Sequence, residues 1–255
     1  MKLIKLLFIR HAQSVGNRQK RMQGHRDFGL STEGIEQAKK LAQRLVLEHK
    51  RPNYIYSSPL KRAAQTAEIL LTYALSAAST AASSTPVSNI SNSASSASAT
   101  TSSSTQTQDA LPKLQVEYAD ELKEFQNGIF EGLTWAEAKQ RYPALCDALE
   151  ASPDWIQIPG AESLQDARDR ARRFIQTLLT RHTEDTQIWI VTHSWILQHL
   201  IAELLGSDRS WRLHAHNTAI FEFWLDRSRW DHTNQNRLNT DLWQIRRFND
   251  YRHLG

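Results

Sequence analysis

Short apolar segments alternate with helical patterns along most of the chain and predict an α/β protein. The first segment, 6–9, ends abruptly at Arg10 and His11. A second apolar run, 188–192, is also followed by a histidine, His193. Continuous apolar runs bounded by polar residues are typical of buried strands in a parallel sheet. Because ligands bind beyond the carboxyl ends of such strands, the pattern predicts Arg10 and both histidines at the functional edge.

Other segments complete the predicted sheet and its helices. Strands are predicted at 54–57 and 114–118, and antiparallel edge strands at 219–225 and 242–248. Apolar residues recur at helical spacing after each of four helix-start signals: Ser31, Ser58-Pro59, Ser163 and Ser194. We expect a three-layer α/β/α sandwich with a mainly parallel sheet and helices on both faces.

An uncharged segment interrupts this alternation between Glu68 and Asp109. From about 76 to 110 it consists mostly of Ser, Ala, Thr and Asn. Such a segment has little apolar surface to bury, so we predict a disordered surface insertion rather than a second domain. The 255 residues are therefore expected to form a single domain, 1–255, with this insertion.

Composition and charge narrow the possible partners. The net charge is +4 and no run of five or six basic residues occurs, which argues against a nucleic-acid partner. A basic pocket for an anionic small molecule fits this balance equally well. Cys146 is the only cysteine, so we expect a packed, inert thiol. The first apolar run is broken by Lys5, so we predict neither a signal peptide nor a membrane span, and a cytoplasmic location.

Several residues outside the strand ends are candidates for chemistry. Arg62 follows Ser58-Pro59, so it would lie in the first turn of a helix, where backbone N–H groups and a guanidinium can hold a phosphate. An exposed surface arginine is the alternative for Arg62.

The loop 120–132 contains several carboxylates and two glycines, which indicates residues available for function. Three aromatic residues suggest a wall over the site: Trp135, Tyr142 and Trp155. His214 and His216 lack a third ligand at suitable spacing, so no metal site is predicted.

Taken in order, these motifs resemble the histidine phosphatase superfamily, whose members include phosphoglycerate mutases and many phosphomonoesterases. The resemblance extends along the chain except for the Ser-rich segment. The matching stretches are 10–14 with Asn17, 21–24 with Asp27, 30–34 with Gln37-Ala38, 57–63 with 65–67, 122–124 with Gly128 and 130–132, Gly160 with Glu162-Ser163, and 191–193.

The resemblance implies a metal-independent phosphatase that acts on a small phosphorylated metabolite without a cofactor. It implies that His11 attacks phosphorus and forms a phosphohistidine, and that Glu124 protonates the leaving oxygen and later accepts a proton from water. Glu117, Glu121 and Glu131 lie close to Glu124 in sequence and are alternatives for its role. The implied catalytic residues are His11, Glu124, Arg10, Arg62 and His193. The implied substrate-binding residues are Asn17, Gln23, Arg10, Arg62 and Ser194.

Three positions depart from the usual family pattern. Ala12 and Ser194 each replace a glycine that follows a site histidine, and Gln198 stands where many members have an arginine. A phosphoglycerate mutase-type phosphoryl transfer is the nearest alternative function, because it uses the same phosphoenzyme. A non-catalytic binding module is a third hypothesis; it predicts loss of a site residue, and none is lost. The sequence identifies neither the substrate nor the oligomeric state.

Overall fold

The computed structural model describes residues 3–83, 114–182, 185–209, 211–226 and 243–255. The strands of this part of the chain are β1 Ile4–Arg10, β2 Tyr54–Ser57, β3 Val116–Tyr118, β4 Gln187–Thr192, β5 Ile220–Leu225 and β6 Trp243–Asp250. The α-helices are α1 Val15–Arg18, α2 Thr32–Leu47, α3 Lys61–Ser83, α4 Trp135–Arg141, α5 Pro143–Ala151, α6 Leu164–Arg181 and α7 Ser194–Leu204. Short 3₁₀ turns lie at Asp120–Leu122, Gly128–Phe130 and Arg252–Leu254.

The strands form one sheet in the order β3-β2-β4-β1-β5-β6. Strands β1 to β4 pair in parallel, whereas β5 runs antiparallel to both of its neighbours. The predicted α/β fold with a mainly parallel sheet is therefore confirmed. The prediction that 219–225 forms an edge strand is wrong, because β5 lies between β1 and β6. Five of its six side chains are buried, and such burial requires a neighbouring strand or helix on every side.

Alternate side chains of β1 enter two hydrophobic cores on opposite faces of the sheet. Leu6 and Phe8 belong to the core formed with α6 and α7, whereas Leu7 and Ile9 belong to the core formed with α2 and α3. Successive strand residues point to opposite faces, and both faces of β1 are covered. This double burial explains the uninterrupted apolar run in the sequence and produces the three-layer sandwich.

Two of the four predicted helix starts are formed by side-chain caps. The Ser31 side chain accepts a hydrogen bond from the Gly34 N–H at the start of α2. The Ser163 side chain accepts one from the Asp166 N–H at the start of α6. These caps satisfy backbone donors that have no partner within the first helical turn. They fix where both helices begin against the sheet.

Helix α3 extends further than the sequence pattern indicated. It continues to Ser83, so residues 76–83 are helical and the predicted disorder is wrong for them. Alanine has the highest helix propensity, and alanines are frequent in 77–82. Propensity therefore sustains the helix beyond the last apolar contacts with the sheet. The rest of the predicted insertion, from 84 to 110, lies outside the described residues.

A smaller hydrophobic cluster lies beyond the carboxyl edge of the sheet. Phe130, Ala138, Cys146 and Ile158 form its centre, with α4 and α5 supplying two of them. Cys146 is fully buried there, as predicted for a packed thiol. Phe130 and Ile158 also face a pocket above the strand ends, so this cluster covers the site. No helix in the described ranges is long and apolar enough to span a membrane.

Ion pairs attach the last strand to helix α2. Asp250, in β6, pairs with Arg44 of α2 at 2.6 Å and with Arg252 at 2.9 Å. Burial alone would raise the pKa of Asp250, but hydrogen bonds from Arg252 and Arg44 outweigh it and hold that pKa well below its ordinary value. The carboxylate therefore stabilises the folded chain above its unfolded pKa, and this contribution is lost as pH falls towards the folded pKa.

We expect Asp250→Asn to lower the free energy of unfolding at pH 7 by about 2 kcal/mol, because two charge-assisted hydrogen-bond partners lose their anion. The variant should also lose less stability than the wild type between about pH 5 and pH 2. Urea unfolding at pH 7 and pH 3 measures both effects. Asp147→Asn, which changes an exposed carboxylate of α5, is the control. Equal acid sensitivity of wild type and Asp250→Asn would contradict the prediction.

Candidate active site

Three neighbouring strand ends bring the predicted site residues together. Arg10 pairs with Thr192 at the ends of β1 and β4, so His11 and His193 follow at adjacent positions. Their ring centroids are 4.9 Å apart. Ser57 pairs with Val191, so β2 ends on the other side of β4 and delivers the start of α3 to the same edge. The parallel register thus assembles the site that the strand-end pattern predicted.

His11 is buried, with only 2% of its surface exposed. Its Nδ1 lies 2.7 Å from the carbonyl oxygen of Ala12. A carbonyl can only accept, so Nδ1 holds the proton and donates, and Nε2 of the neutral ring keeps a free lone pair. Burial and the nearby charges of Arg62 and Arg10 lower the pKa of His11 well below its ordinary value. His11 is therefore neutral at physiological pH.

His193 lies behind the pocket rather than at its surface. Its Nδ1 accepts a hydrogen bond from Arg62 Nε at 3.1 Å, so its Nε2 has the proton and donates to Ser58 Oγ at 2.8 Å. Burial and the charge of Arg62 lower the pKa of His193 well below its ordinary value. Both ring nitrogens thus have protein partners, and this ring orients Arg62.

Arg62 lies in the first turn of α3, as predicted, and is almost completely buried. Its terminal nitrogens donate to the carbonyl oxygens of Arg26 at 2.9 Å and Gly24 at 2.8 Å. Burial lowers the pKa of Arg62 to about 10, with the carboxylate of Glu124 acting in the opposite direction. The guanidinium therefore stays charged at neutral pH and is held rigidly beside His11.

Arg10 supplies a second guanidinium. Its Nη1 donates to the Ala215 carbonyl oxygen, whereas its Nε is buried without a hydrogen-bond partner among the described residues. Burial lowers the pKa of Arg10, opposed by the charge of Glu124. A buried donor without a partner is costly. An anion bound beside His11 would satisfy it.

Glu124 contacts the start of α7 from the opposite wall. Its carboxylate accepts hydrogen bonds from the backbone N–H groups of Trp195 at 3.1 Å and Ile196 at 3.2 Å. Backbone donors in a first helical turn have no partner within the helix, so they are available to the Glu124 side chain. The carbonyl oxygen of Glu124 contacts His25 Nε2 at 2.8 Å. These bonds hold the carboxylate at the pocket.

The neighbouring carboxylates are engaged elsewhere. Glu117 pairs with Arg181 at 2.6 Å, and Glu131 accepts a hydrogen bond from the backbone N–H of His25 at 2.9 Å. Glu124 lines the pocket, whereas Glu117, Glu121 and Glu131 do not. The structure therefore brings the candidate chosen from sequence to the site and not its three alternatives.

We call the cavity at these strand ends the inner pocket; its volume is about 350 Å³. All the predicted site residues except His193 line it: Arg10, His11, Asn17, Gln23, Arg62, Glu124 and Ser194. The Ser14 hydroxyl lies 3.0 Å from the side-chain oxygen of Asn17 and 2.7 Å from that of Gln23, and its single proton is donated to one of them at a time. The pocket is thus small, cationic on one side and bounded by a carboxylate on the other.

The aromatic wall differs in part from the sequence prediction. Trp135 and Trp155 line the inner pocket, but Tyr142 does not and packs against Phe130 instead. The sequence analysis missed Phe125 and Trp195, whose rings lie 5.3 Å apart in that wall. Their positions directly after Glu124 and Ser194 are the signal that could have identified them. Asn217, which donates to the His11 carbonyl oxygen at 2.9 Å, had no such signal.

The departures from the family pattern fit into the site without disruption. Ala12 is fully buried, and its N–H donates to Thr66 Oγ1 at 3.1 Å. The Ser194 hydroxyl lies 3.5 Å from a Glu124 carboxylate oxygen.

His214 and His216 contact each other, and His216 stacks on Tyr251. In the part of the chain that the structure describes, no group of three or more His, Cys, Asp or Glu side chains is arranged to hold a metal ion.

The fold and site define an α/β enzyme class that places a neutral histidine among guanidinium groups at the carboxyl edge of a mainly parallel sheet. The family model described as "Histidine phosphatase superfamily (branch 1)" matches residues 6–76 and 74–237. The chain belongs to this superfamily. It is a phosphatase, as the relatives described next also indicate.

Individual relatives agree with membership of the superfamily. Over 208 residues the chain is 30% identical to "Phosphoserine phosphatase 1" of Hydrogenobacter thermophilus, covering 82% of this chain and 79% of that protein. It is 27% identical to "Phosphoglycerate mutase-like protein 4" of Arabidopsis thaliana, covering 98% and 86%. The fold is similar to that of Bacillus stearothermophilus YhfR, with a TM-score of 0.69, 22% identity, and coverage of 99% and 100%.

Proposed function

We propose that this phosphatase hydrolyses phosphomonoesters of small metabolites through a phosphohistidine at His11, without a metal ion. One observation supports this most directly: the Nδ1 proton of neutral His11 is committed to the Ala12 carbonyl, which leaves Nε2 as a nucleophile among two guanidinium groups. The name of the Hydrogenobacter relative, a phosphoserine phosphatase, supports a small substrate. A single domain and a cytoplasmic location stay predictions from the sequence.

In the first step, His11 Nε2 attacks phosphorus and an N–P bond forms while the ester P–O bond breaks. The positive charges of Arg10 and Arg62 stabilise the negative charge on the equatorial oxygens. In other phosphatases a metal ion supplies this positive charge. The protonated carboxyl of Glu124 gives its proton to the departing alkoxide, so the product leaves as a neutral alcohol.

In the second step, water attacks the phosphohistidine. Glu124, now a carboxylate, accepts a proton from that water as the new P–O bond forms and the N–P bond breaks. Inorganic phosphate leaves, and His11 returns to its neutral state with Nδ1 still bound to the Ala12 carbonyl. His193 acts from behind, by holding Arg62 through its Nε in the orientation that faces the phosphoryl group.

The test is phosphate release from a panel of phosphomonoesters in the presence of a chelator. We expect chelator-resistant release with kcat/KM of about 10⁴ M⁻¹s⁻¹ or more for the best substrate. The panel includes phosphoserine and 3-phosphoglycerate, with formation of 2-phosphoglycerate followed in parallel. Isomerisation without phosphate release would contradict the proposed hydrolysis and favour mutase-type phosphoryl transfer. Loss of activity with chelator, restored by a divalent metal ion, would contradict metal-independent hydrolysis.

A further inference from the structure

A second and larger cavity opens directly beside the inner pocket. We call it the outer chamber; its volume is about 1,230 Å³. Arg10, Trp155 and Trp195 line both cavities, so the two are continuous. A small phosphomonoester fits within the inner pocket and leaves the outer chamber unused. Ligand sites typically have volumes of about 300–1,000 Å³, so the combined cleft is large enough for a much larger molecule.

Four tryptophans surround this cleft with their rings partly open to solvent. Trp135 is 38% exposed, and Trp155, Trp195 and Trp211 are each 40% exposed. Folded chains usually bury such large apolar side chains, and a group of exposed ones marks a binding surface. The flat face of an indole stacks on another ring and contributes more than its buried area alone. This geometry selects for a ligand that contains a ring.

The outer chamber is lined by amide, guanidinium and carboxylate groups that can form hydrogen bonds with a ligand. Gln198 contributes an amide, which binds hydroxyl groups and ring nitrogens equally well, and Gln165 contributes an amide whose nitrogen donates to Asp169 at 3.0 Å. Arg168 also lines the chamber, but its charge is compensated by Glu203 at 2.7 Å. Asp208 supplies a further carboxylate. Arg10 and Arg212 are the other guanidinium groups of this lining, and Arg10 also lines the inner pocket.

We propose that the outer chamber binds a ring attached to the organic part of the substrate, and that Trp211 is a specificity-determining residue for it. This inference rests on the proposed phosphatase function of the inner pocket. The substrate class is then a phosphomonoester whose phosphate enters the inner pocket and whose ring, with hydrogen-bonding substituents, lies against Trp211. A sugar and a nucleobase share this chemistry, and the experiment distinguishes them.

Two matched pairs of phosphomonoesters test the inference. Ribose 5-phosphate is compared with adenosine 5′-monophosphate, which adds a base, and 3-phosphoglycerate with glucosyl-3-phosphoglycerate, which adds a sugar. We expect the larger member of at least one pair, which adds a base or a sugar, to have a kcat/KM about tenfold above its truncated partner, the size of one aromatic stacking contact. Trp211→Ala should remove most of this advantage, while kcat/KM for the truncated partners stays within about twofold. Equal values for both members of both pairs would overturn the inference.

Control variants separate stacking from structural damage. Trp211→Phe should retain at least half of the advantage, because it keeps an aromatic face. Tyr118→Ala, at a half-exposed aromatic residue on β3 outside the cleft, should leave the advantage unchanged. An advantage that survives in Trp211→Ala would overturn the assignment of this residue.

A binding measurement keeps this test independent of catalysis. Calorimetry with the dephosphorylated pair members, adenosine against ribose and glucosylglycerate against glycerate, measures occupation of the outer chamber alone. We expect adenosine or glucosylglycerate to bind about tenfold more tightly than its smaller partner, and Trp211→Ala to abolish the difference. Such binding without any phosphate release would contradict the proposed hydrolysis while supporting the chamber. Release without any ring preference in binding or kinetics would do the reverse.

Discussion

Replacing His11 with alanine is expected to reduce kcat/KM for phosphomonoester hydrolysis by about 10⁴-fold or more. The variant removes the only nitrogen proposed to form a covalent bond to phosphorus. Without it no phosphohistidine forms for water to attack. The guanidinium groups of Arg10 and Arg62 remain, so substrate should still bind. Steady-state kinetics on the best substrate of the panel measures the loss, and calorimetry measures retained binding of inorganic phosphate.

Two further variants test whether that loss of activity results from structural damage instead of removal of the nucleophile. His11 is buried, so alanine leaves a cavity; His11→Asn fills more of it and should be equally inactive, because an amide nitrogen is not nucleophilic. His182→Asn is the matched control. His182 is also buried and its pKa is also lowered, by burial and by Arg181, yet it contacts Tyr56 and not the inner pocket. It should keep nearly full activity.

The covalent intermediate provides a direct readout. An N–P bond to histidine survives alkali and hydrolyses in acid, so a labelled substrate quenched in alkali should leave acid-labile label on the wild-type chain. We expect none on His11→Ala and ordinary labelling on His182→Asn. Label on His11→Ala, or undiminished phosphate release by it, would contradict the assignment of the nucleophile.

The positions of the strand-end histidines could be predicted because, in a parallel sheet, the local sequence pattern is enough to locate the ends of the strands. Each apolar run identifies a buried strand, and all parallel strands end at one edge. His11, His193 and the helix start with Arg62 therefore meet whatever separates them in the sequence. The prediction did not specify how deep each side chain lies behind the surface of the pocket. Packing places His193 behind Arg62, and no periodicity distinguishes a residue that faces a pocket from one that supports its wall.

The remaining features depend on contacts between distant segments. The Glu124 carboxylate contacts the start of α7, about 70 residues further along the chain, and only the fold brings the two together. Likewise, the pattern of 219–225 indicates a strand but not its neighbours, so β5 was expected at an edge that β6 occupies. Trp195 could have been found only from its position beside Ser194, and Trp211 has no predicted site residue next to it in the sequence.

Replacing Glu124 with glutamine is expected to lower kcat for alkyl phosphates such as phosphoserine by about 10²–10³-fold. Glutamine keeps the volume and one acceptor oxygen for the N–H groups of Trp195 and Ile196, so the start of α7 should stay in place. What it removes is the ability to give and take a proton. Steady-state kinetics gives the loss, and Glu131→Gln, which changes a carboxylate outside the inner pocket, is the matched control.

The leaving group identifies which step depends on Glu124. Nitrophenolate departs without a proton, so with p-nitrophenyl phosphate the first step should survive in Glu124→Gln, whereas attack by water still lacks its base. Stopped-flow measurements should therefore show a burst of nitrophenol close to one equivalent per active site, followed by slow turnover. If Glu124 only capped α7, both steps would weaken together and no burst would form. An equal loss of kcat in Glu131→Gln would contradict the assignment of proton transfer to Glu124. Only a group within reach of the leaving oxygen can slow hydrolysis of an alkyl phosphate and spare release of nitrophenolate.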